Sequence, residues 1–256
     1  MYKYFLLFVF HGWMLGFCQE HPAVILTTRP SNTSGPYTVN PGLWQMESGI
    51  SLAKNWVGPQ QKMEERAFNP EVFLRTGITP WAEINLSLAG RFYRLGEDQL
   101  NGLTPLALGL KVDIVRGKGA LPTIVLGSRL VLPTGHESLR PRYPGSGLTL
   151  IFAHFIGEKT AIMYNLGAAW GDTGPPGGSY RLFFSYNFMP KLAVYAEYYG
   201  NFTALDDIES NVGAGLTFAP QPNWQLDLSG GIDIQPGRKH YYLAVGFSQR
   251  WFSKHE

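Results

Sequence analysis

The sequence is poor in cysteine, and it has neither a long apolar run nor an excess of charge of one sign. Its 256 residues include one cysteine, Cys18, which cannot form a disulfide within the chain. Lysine and arginine number 21 and aspartate and glutamate 19, so the net charge of +2 indicates neither a nucleic-acid-binding surface nor an acidic tail. After the N-terminal stretch, no segment approaches the roughly 20 continuous apolar residues of a transmembrane helix. The sequence therefore predicts no spanning helix and no nucleic-acid partner.

The motifs of common enzyme classes are absent as well. No nucleophile elbow, P-loop, zinc-ligand spacing or dinucleotide fingerprint occurs, and the six histidines are scattered. The glycine-rich run from Gly171 to Gly178 lacks the Gly-Lys-Ser/Thr ending of a phosphate loop, so a flexible loop is expected there. The sequence therefore predicts no enzyme, no cofactor and no metal site.

The N-terminus has the layout of a secretory signal. Lys3 precedes an apolar stretch from Phe5 to Phe17 that is too short to span a membrane comfortably. A cut after Cys18 predicts a signal peptide over residues 1–18. The alternative is a lipoprotein with lipid on Cys18, although bulky Phe17 stands where a lipobox has a small residue.

The rest of the chain is rich in residues that suit strands and turns. Aromatic residues make up 14% and glycines number 30, a mixture that favours strands over helices. Period-two alternation predicts twelve strands. Most are about 10–12 residues long, which matches a tilted strand that crosses a hydrocarbon core. They are predicted at 42–53, 66–78, 82–93, 105–116, 121–132, 147–157, 160–170, 180–188, 191–200, 209–219, 224–234 and 241–252.

The connections between these strands alternate between long and short. Long ones are predicted at 54–65, 94–104, 133–146, 171–179, 201–208 and 235–240, with links of two to four residues between them. Outer-membrane barrels have short periplasmic turns, longer external loops and an even strand number. An exported sandwich is the alternative, but nothing in a sandwich segregates its connections in this way. The pattern predicts an all-β protein: a transmembrane antiparallel up-and-down β-barrel of about 12 strands, with both termini periplasmic.

Alternation within the strands separates an apolar face from a charged one. In the third strand Ile84, Leu86 and Leu88 share one face, and Glu83 and Ser87 lie on the other. The apolar face is expected to meet outer-membrane lipid and the charged face to line the lumen. The predicted lumen-lining residues are Glu47, Glu71, Arg75, Glu83, Arg91, Lys111, Asp113, Arg129, Arg181, Glu197, Asp227 and Asp233.

The charged face admits more than one interpretation. The simplest is a salt-bridged, hydrated lumen; a functional one is that the charges select solutes, as rings of charge do in pores. A paired-acid hydrolase is a further alternative. Because the first three strands are sequential neighbours, Glu47, Arg75 and Glu83 are expected on one wall patch, where the planar guanidinium suits two carboxylates.

His154 raises a separate enzyme hypothesis, because it lies on the apolar face of its strand. An outer-membrane phospholipase of twelve strands places a histidine and a serine two residues apart on its outer wall. Here position 156 is isoleucine, which favours a packing or membrane-interface histidine.

The sequence after the signal resembles a known family. The motifs that carry the resemblance are Thr28-Arg29-Pro30-Ser31, Ser34 to Val39, Gly42 to Gly49, Leu74 to Thr79, Leu110-Lys111 and Leu132-Pro133-Thr134-Gly135. They are similar to those of the bacterial outer-membrane family called "putative MetA-pathway of phenol degradation", also described as transporters. The resemblance covers nearly the whole mature chain, but Thr28 stands where the family has aspartate. It implies a membrane barrel that passes hydrophobic or aromatic compounds.

Together these patterns predict four regions: the signal peptide, an N-terminal segment at 19–41 that is periplasmic or enters the lumen, the barrel at 42–252 and a tail at 253–256. The expected function is passive passage or binding of small solutes, with 19–41 as a plug of the lumen. A non-conducting structural or adhesive protein is the main alternative, and a lipid-modifying enzyme is the third.

Overall fold

The computed structural model describes residues 25–57, 63–172, 174–203, 208–235 and 239–252. The predicted signal peptide and C-terminal tail lie outside these ranges. Within them, no helix is long and apolar enough to cross a membrane.

The described residues form thirteen strands, numbered here in chain order. They are β1 Leu43–Val57, β2 Met63–Thr79, β3 Ala82–Leu95, β4 Asp98–Leu103, β5 Ala107–Val115, β6 Thr123–Val131, β7 Gly145–Ile156, β8 Thr160–Trp170, β9 Gly177–Met189, β10 Leu192–Phe202, β11 Asn211–Gln221, β12 Trp224–Asp233 and β13 His240–Phe252.

The strands form one closed antiparallel barrel. Neighbouring strands pair in sequence, and β13 pairs with β1 along its whole length, from Leu43 opposite Phe252 to Asn55 opposite His240. Both β4 and β5 pair with β3, β4 along its second half and β5 along its first half. They are therefore two parts of one wall strand, and the barrel has twelve positions, which confirms the predicted all-β antiparallel barrel of about 12 strands.

The break between β4 and β5 corrects the predicted fourth strand. That strand was expected over 105–116, with a loop at 94–104, but the pairing with β3 continues into residues 98–103. Pro105 lies at the break and has no N–H to donate. Thr104 on one side still donates its N–H to the carbonyl of Ala89 at 2.8 Å, so the ladder is interrupted for only a few residues.

The predicted loop at 54–65 is also strand in the parts that the structure describes, 54–57 and 63–65. β1 and β2 stay paired as far as Val57 opposite Met63. Charged side chains line this extension, where Glu64 accepts from Lys54 at 3.1 Å and from Arg66 at 2.6 Å. Backbone pairing continues past the apolar band because every N–H and C=O needs a partner, whereas the sequence pattern ended where the apolar residues ended.

The two faces of the wall differ as the alternation predicts. On β12, Leu226 and Leu228 are 44% and 40% exposed on the outside, while Asp227 between them is 5% exposed on the inside. The outward apolar side chains form a surface whose transfer from water into an apolar environment is favourable. A closed barrel with such a wall belongs in the bacterial outer membrane, because closure satisfies every backbone group in lipid.

The barrel has two distinct ends. At one, called here the short-turn end, β2–β3, β9–β10 and β11–β12 are joined across two residues each, and the first residue of β1 and the last of β13 lie there. At the other, the long-loop end, β6–β7 and β10–β11 are joined by longer segments. These ends provide the frame for the lumen.

Candidate functional site

Residues 25–41, called here the inner segment, precede β1 and lie inside the barrel. At the short-turn end the N–H of Ile25 donates to the carbonyl of Pro222 at 2.7 Å, and Pro41 forms an isolated bridge with Gly77. Between these points Thr33 and Val39 are 1% and 5% exposed. The segment therefore occupies part of the lumen and shields the polar inner wall.

A buried ion cluster of Glu47, Arg75 and Glu83, called here the Arg75 cluster, lies on the inner faces of β1, β2 and β3. The Arg75 guanidinium donates to both carboxylate oxygens of Glu83, at 2.9 and 2.8 Å, and to Glu47 at 2.8 Å. It is 2% exposed and both acids are 0% exposed. The expected bridge is possible because Arg75 lies opposite Gln45 on β1 and Asn85 on β3, so acids two residues away on each neighbour are within reach.

The inner segment completes the Arg75 cluster through its backbone. The N–H groups of Thr28 and Arg29 donate to Glu47 at 2.8 and 3.0 Å, and the N–H of Val39 donates to Glu83 at 2.7 Å. A carboxylate that accepts several hydrogen bonds is stabilised in its charged form. No residue-type pattern could have indicated these donors, because backbone N–H groups are common to every residue except proline.

A glycine allows the segment to approach the wall so closely. A Cβ on Gly77 would overlap the carbonyl of Val39 and the backbone of Asn40.

The side chain of Tyr37 is covered in the same region, and burial raises its pKa to about 12, so the phenol stays neutral. The Tyr37 carbonyl accepts from Arg75 at 2.8 Å.

Glu197 on β10 holds the opposite side of the inner segment. Asn32 donates to one carboxylate oxygen with its backbone N–H and its side-chain amide, both at 3.0 Å. Thr33 donates to the other with its N–H at 3.1 Å and its hydroxyl at 3.0 Å. Four donors thus compensate a carboxylate that is 4% exposed.

Arg29 is a lumen residue that strand alternation could not identify, because it lies in the inner segment before β1. Its guanidinium forms ion pairs with Glu71 on β2 and, at 3.4 Å, with Asp227 on β12. A Cβ on Gly49 or Gly246 would overlap that guanidinium. Glycines facing the lumen from β1 and β13 are therefore the signal that a side chain from elsewhere fills the space.

Of the other predicted lumen residues, Lys111 lies beside the Arg75 cluster, opposite Glu83 in register, and the rest lie elsewhere on the inner wall. Lys111 donates to the carbonyls of Gly35 and Tyr37 at 3.1 and 3.4 Å. Asp113 pairs with Arg116 at 3.1 Å near the short-turn end. Arg91 pairs with Glu65 at 3.3 Å, and Arg181 donates to the carbonyls of Tyr180 and Gly200. Arg129 and Asp233 each line a lumen cavity, of about 590 Å³ and about 720 Å³ respectively.

The inner segment borders three of the cavities that the described residues line. One of about 590 Å³ lies along the inner faces of β5 to β9, and one of about 720 Å³ opens toward the long-loop end beside Trp56 and Tyr242. A third of about 240 Å³ lies at the short-turn end beside Lys159. All three are lined by Arg29 and Ser31, so the tip of the inner segment separates them.

The part of the chain that the structure describes contains no group of three or more His, Cys, Asp or Glu side chains able to hold a metal. His154 stacks on Tyr164, with ring centroids 6.0 Å apart, on the outside of β7. Ile156 stands where the phospholipase hypothesis needs a serine. The arrangement of His154 is that of a packed aromatic pair.

Comparison with known proteins gives one family and a set of similar folds. A family model described as "Putative MetA-pathway of phenol degradation" matches residues 27–251. An outer membrane channel from Pseudomonas putida F1, COG4313, superposes with a TM-score of 0.67 at 16% identity over 87% of this chain and 99% of that one. No curated protein matches the sequence.

Two further solved structures share the fold. The translocator domain of the autotransporter NalP from Neisseria meningitidis has a TM-score of 0.55 at 11% identity, over 83% of this chain and 90% of that one. The CymD monoaromatic hydrocarbon channel has a TM-score of 0.50 at 9% identity, over 85% of this chain and 90% of that one. At these identities the likeness concerns the barrel fold alone.

Proposed function

Since this chain belongs to the "Putative MetA-pathway of phenol degradation" family, we propose that it is an outer-membrane channel that passes or binds small solutes, hydrophobic or aromatic ones among them. The observation that carries the proposal is the series of lumen cavities separated by the tip of the inner segment. The CymD monoaromatic hydrocarbon channel has a similar fold, and the proposal extends its solute class to this chain.

The inner segment acts in this proposal as a partial plug. The short-turn end faces the periplasm, so the segment enters from the periplasmic side after removal of the signal peptide at 1–18. We place a constriction at Arg29, because its side chain lies over β1 and β13, contacts Glu71 on β2 and Asp227 on β12, and borders all three of these cavities. The lumen-facing charges then select solutes.

Conductance of the purified full chain in planar bilayers tests the proposal. We expect small ion currents, and larger currents for Arg29→Ala because the constriction loses its side chain. Arg140→Ala, on an exposed residue of the β6–β7 connection, is the matched control and should leave the conductance unchanged. A folded barrel that passes no current in either the original or the Arg29→Ala form would overturn the proposal in favour of a non-conducting structural or adhesive protein.

A non-enzymatic role is part of the same proposal. His154 has an aromatic partner and an isoleucine two residues away. The acids of the Arg75 cluster are held by an arginine instead of facing each other across a substrate space. Absence of phospholipid hydrolysis by the folded, detergent-purified protein is the expected result.

A further inference from the structure

Arg129 on β6 differs from the other lumen arginines in its surroundings. Val125 and Ile151, which are paired across β6 and β7, are 0% and 1% exposed and mark the inner face. Arg129 has the same parity as Val125 and therefore points into the lumen. In register it lies opposite Gly109 on β5 and Gly147 on β7, so neither neighbouring strand presents a side chain beside it.

The guanidinium of Arg129 has no partner among the described residues: it makes neither a hydrogen bond nor an ion pair with any of them. Arg75 and Arg29, by contrast, each contact two acids. Arg181 is held by carbonyls at 2.7 and 2.5 Å. An arginine carries five donors in a fixed fork that matches a carboxylate, and at Arg129 the protein leaves this fork available.

The cavity beside Arg129 has both charged and apolar surface. Its volume of about 590 Å³ is in the range of small-molecule sites. Inward Phe73, Ala107 and Ile151 line it with apolar surface. Beside them the wall has no side chains at a row of glycines on β6 to β9, called here the glycine strip: Gly127, Gly147, Gly167 and Gly177. Such a surface suits the body of a small hydrophobic molecule.

The charges around the cavity favour an anion. Its two acids, Glu47 and Glu71, are already paired with Arg75 and Arg29. Lys111, Arg129 and Arg181 add positive charge, and of these Lys111 and Arg181 meet only neutral oxygens at hydrogen-bond distance. The cavity lining carries four cations, Arg29, Lys111, Arg129 and Arg181, against the two acids Glu47 and Glu71. Lys111 lies opposite Glu83 on β3, so Arg129 and Arg181 supply the positive charge that has no acid at ion-pair distance among the described residues.

We infer that Arg129 binds the carboxylate of a small amphipathic anion whose aromatic or aliphatic body lies against Phe73, Ile151 and the glycine strip. This inference rests on the proposed function, because it names a substrate class of the same lumen. The fork of Arg129 supplies two parallel hydrogen bonds to the carboxylate oxygens. A neutral molecule of the same size would leave the fork unpaired.

Calorimetric titration of the detergent-purified full chain at pH 7 tests this inference with three matched probes: benzoate, benzyl alcohol and benzylamine. Benzoate should bind about tenfold or more tightly than the other two, because charge-assisted hydrogen bonds are the stronger ones. Arg129→Gln should weaken benzoate by a similar factor and leave benzyl alcohol unchanged. Arg129→Lys, which keeps the charge but not the fork, should fall between.

Arg140→Gln is the control, since it removes the same charge from an exposed connection outside the lumen. Heat-modifiable gel mobility shows that each variant is folded. Equal affinity for the three probes, no detectable benzoate binding, or the same benzoate affinity in Arg129→Gln and Arg140→Gln would overturn the inference. A barrel that conducts but does not prefer benzoate refutes only the inference, whereas one that binds benzoate at Arg129 without conducting refutes only the passage of solutes through the lumen.

Discussion

The wall formed by β1 to β3 and the wall formed by β5 to β7 each carry an inward arginine, and the surroundings of the two arginines differ. On the first, Arg75 is 2% exposed and contacts Glu47, Glu83 and the Tyr37 carbonyl. On the second, Arg129 has no partner among the described residues and borders an open cavity. Both side chains point inward by the same parity. The difference comes from their neighbours: acids and the inner segment at one, glycines at the other.

The comparison suggests a division of roles within one lumen. A buried charge pair contributes little net stability over an apolar substitute, but breaking it is costly. The Arg75 cluster therefore fixes the inner segment and the first strands in one arrangement. An unpaired guanidinium in a cavity contributes no such constraint and is available to a solute.

Replacing the two arginines should give the largest difference. Arg75→Ala leaves two buried carboxylates without their cation and should cost about 3–5 kcal/mol of unfolding free energy. Arg129→Ala removes no hydrogen bond or ion pair with a described residue and should stay within about 0.5 kcal/mol. Urea unfolding of each variant in lipid vesicles measures both. Similar losses for the two variants would contradict the division.

If the channel conducts, Arg75→Ala should also shift its ion preference toward cations, because Glu47 and Glu83 then lose their guanidinium partner and the lumen gains net negative charge. Reversal potentials under a salt gradient measure this shift. An unchanged reversal potential in a conducting Arg75→Ala barrel would leave the cluster a structural role only.

The outer faces of the two walls should behave alike, which makes them a control for the comparison. Leu86→Arg on β3 and Leu150→Arg on β7 should each cost about 2–4 kcal/mol if they lie near the bilayer midplane. Ser87→Arg and Thr149→Arg, one residue away on the inner face, should cost less. Equal costs for the two members of either pair would show that the face assignment of that strand is wrong.

The smallest effect is expected where the inner segment docks. Thr33→Val removes a hydroxyl that donates to buried Glu197 at 3.0 Å and should cost about 1.5–3 kcal/mol, the usual value for a hydrogen bond to a charged group. Thr149→Val makes the same change on the open wall, where the hydroxyl has no hydrogen-bond partner among the described residues, and should be close to neutral. Unfolding free energies measured in the same vesicles compare the two. A neutral Thr33→Val would mean that the segment does not stabilise the barrel through Glu197.

The sequence predicted the barrel well because the relevant signals are local. A strand of period two shows its faces in every few residues, and the positions of Leu226, Asp227 and Leu228 follow from that period alone. Strand extensions such as β4 were missed because they lie beyond the apolar band. There pairing is maintained by backbone hydrogen bonds, which leave no periodic signal.

By itself, then, the sequence determined the strand number, the inward and outward faces and the presence of charges in the lumen, because each depends on neighbouring residues along the chain. Only the tertiary structure decided which charges meet. Arg75 and Arg129 are indistinguishable by parity, and their partners depend on strand register, on the height of each residue in the barrel and on where residues 25–41 lie. Those are relations between residues distant in sequence, and they decide which arginine holds the fold together and which is free to bind.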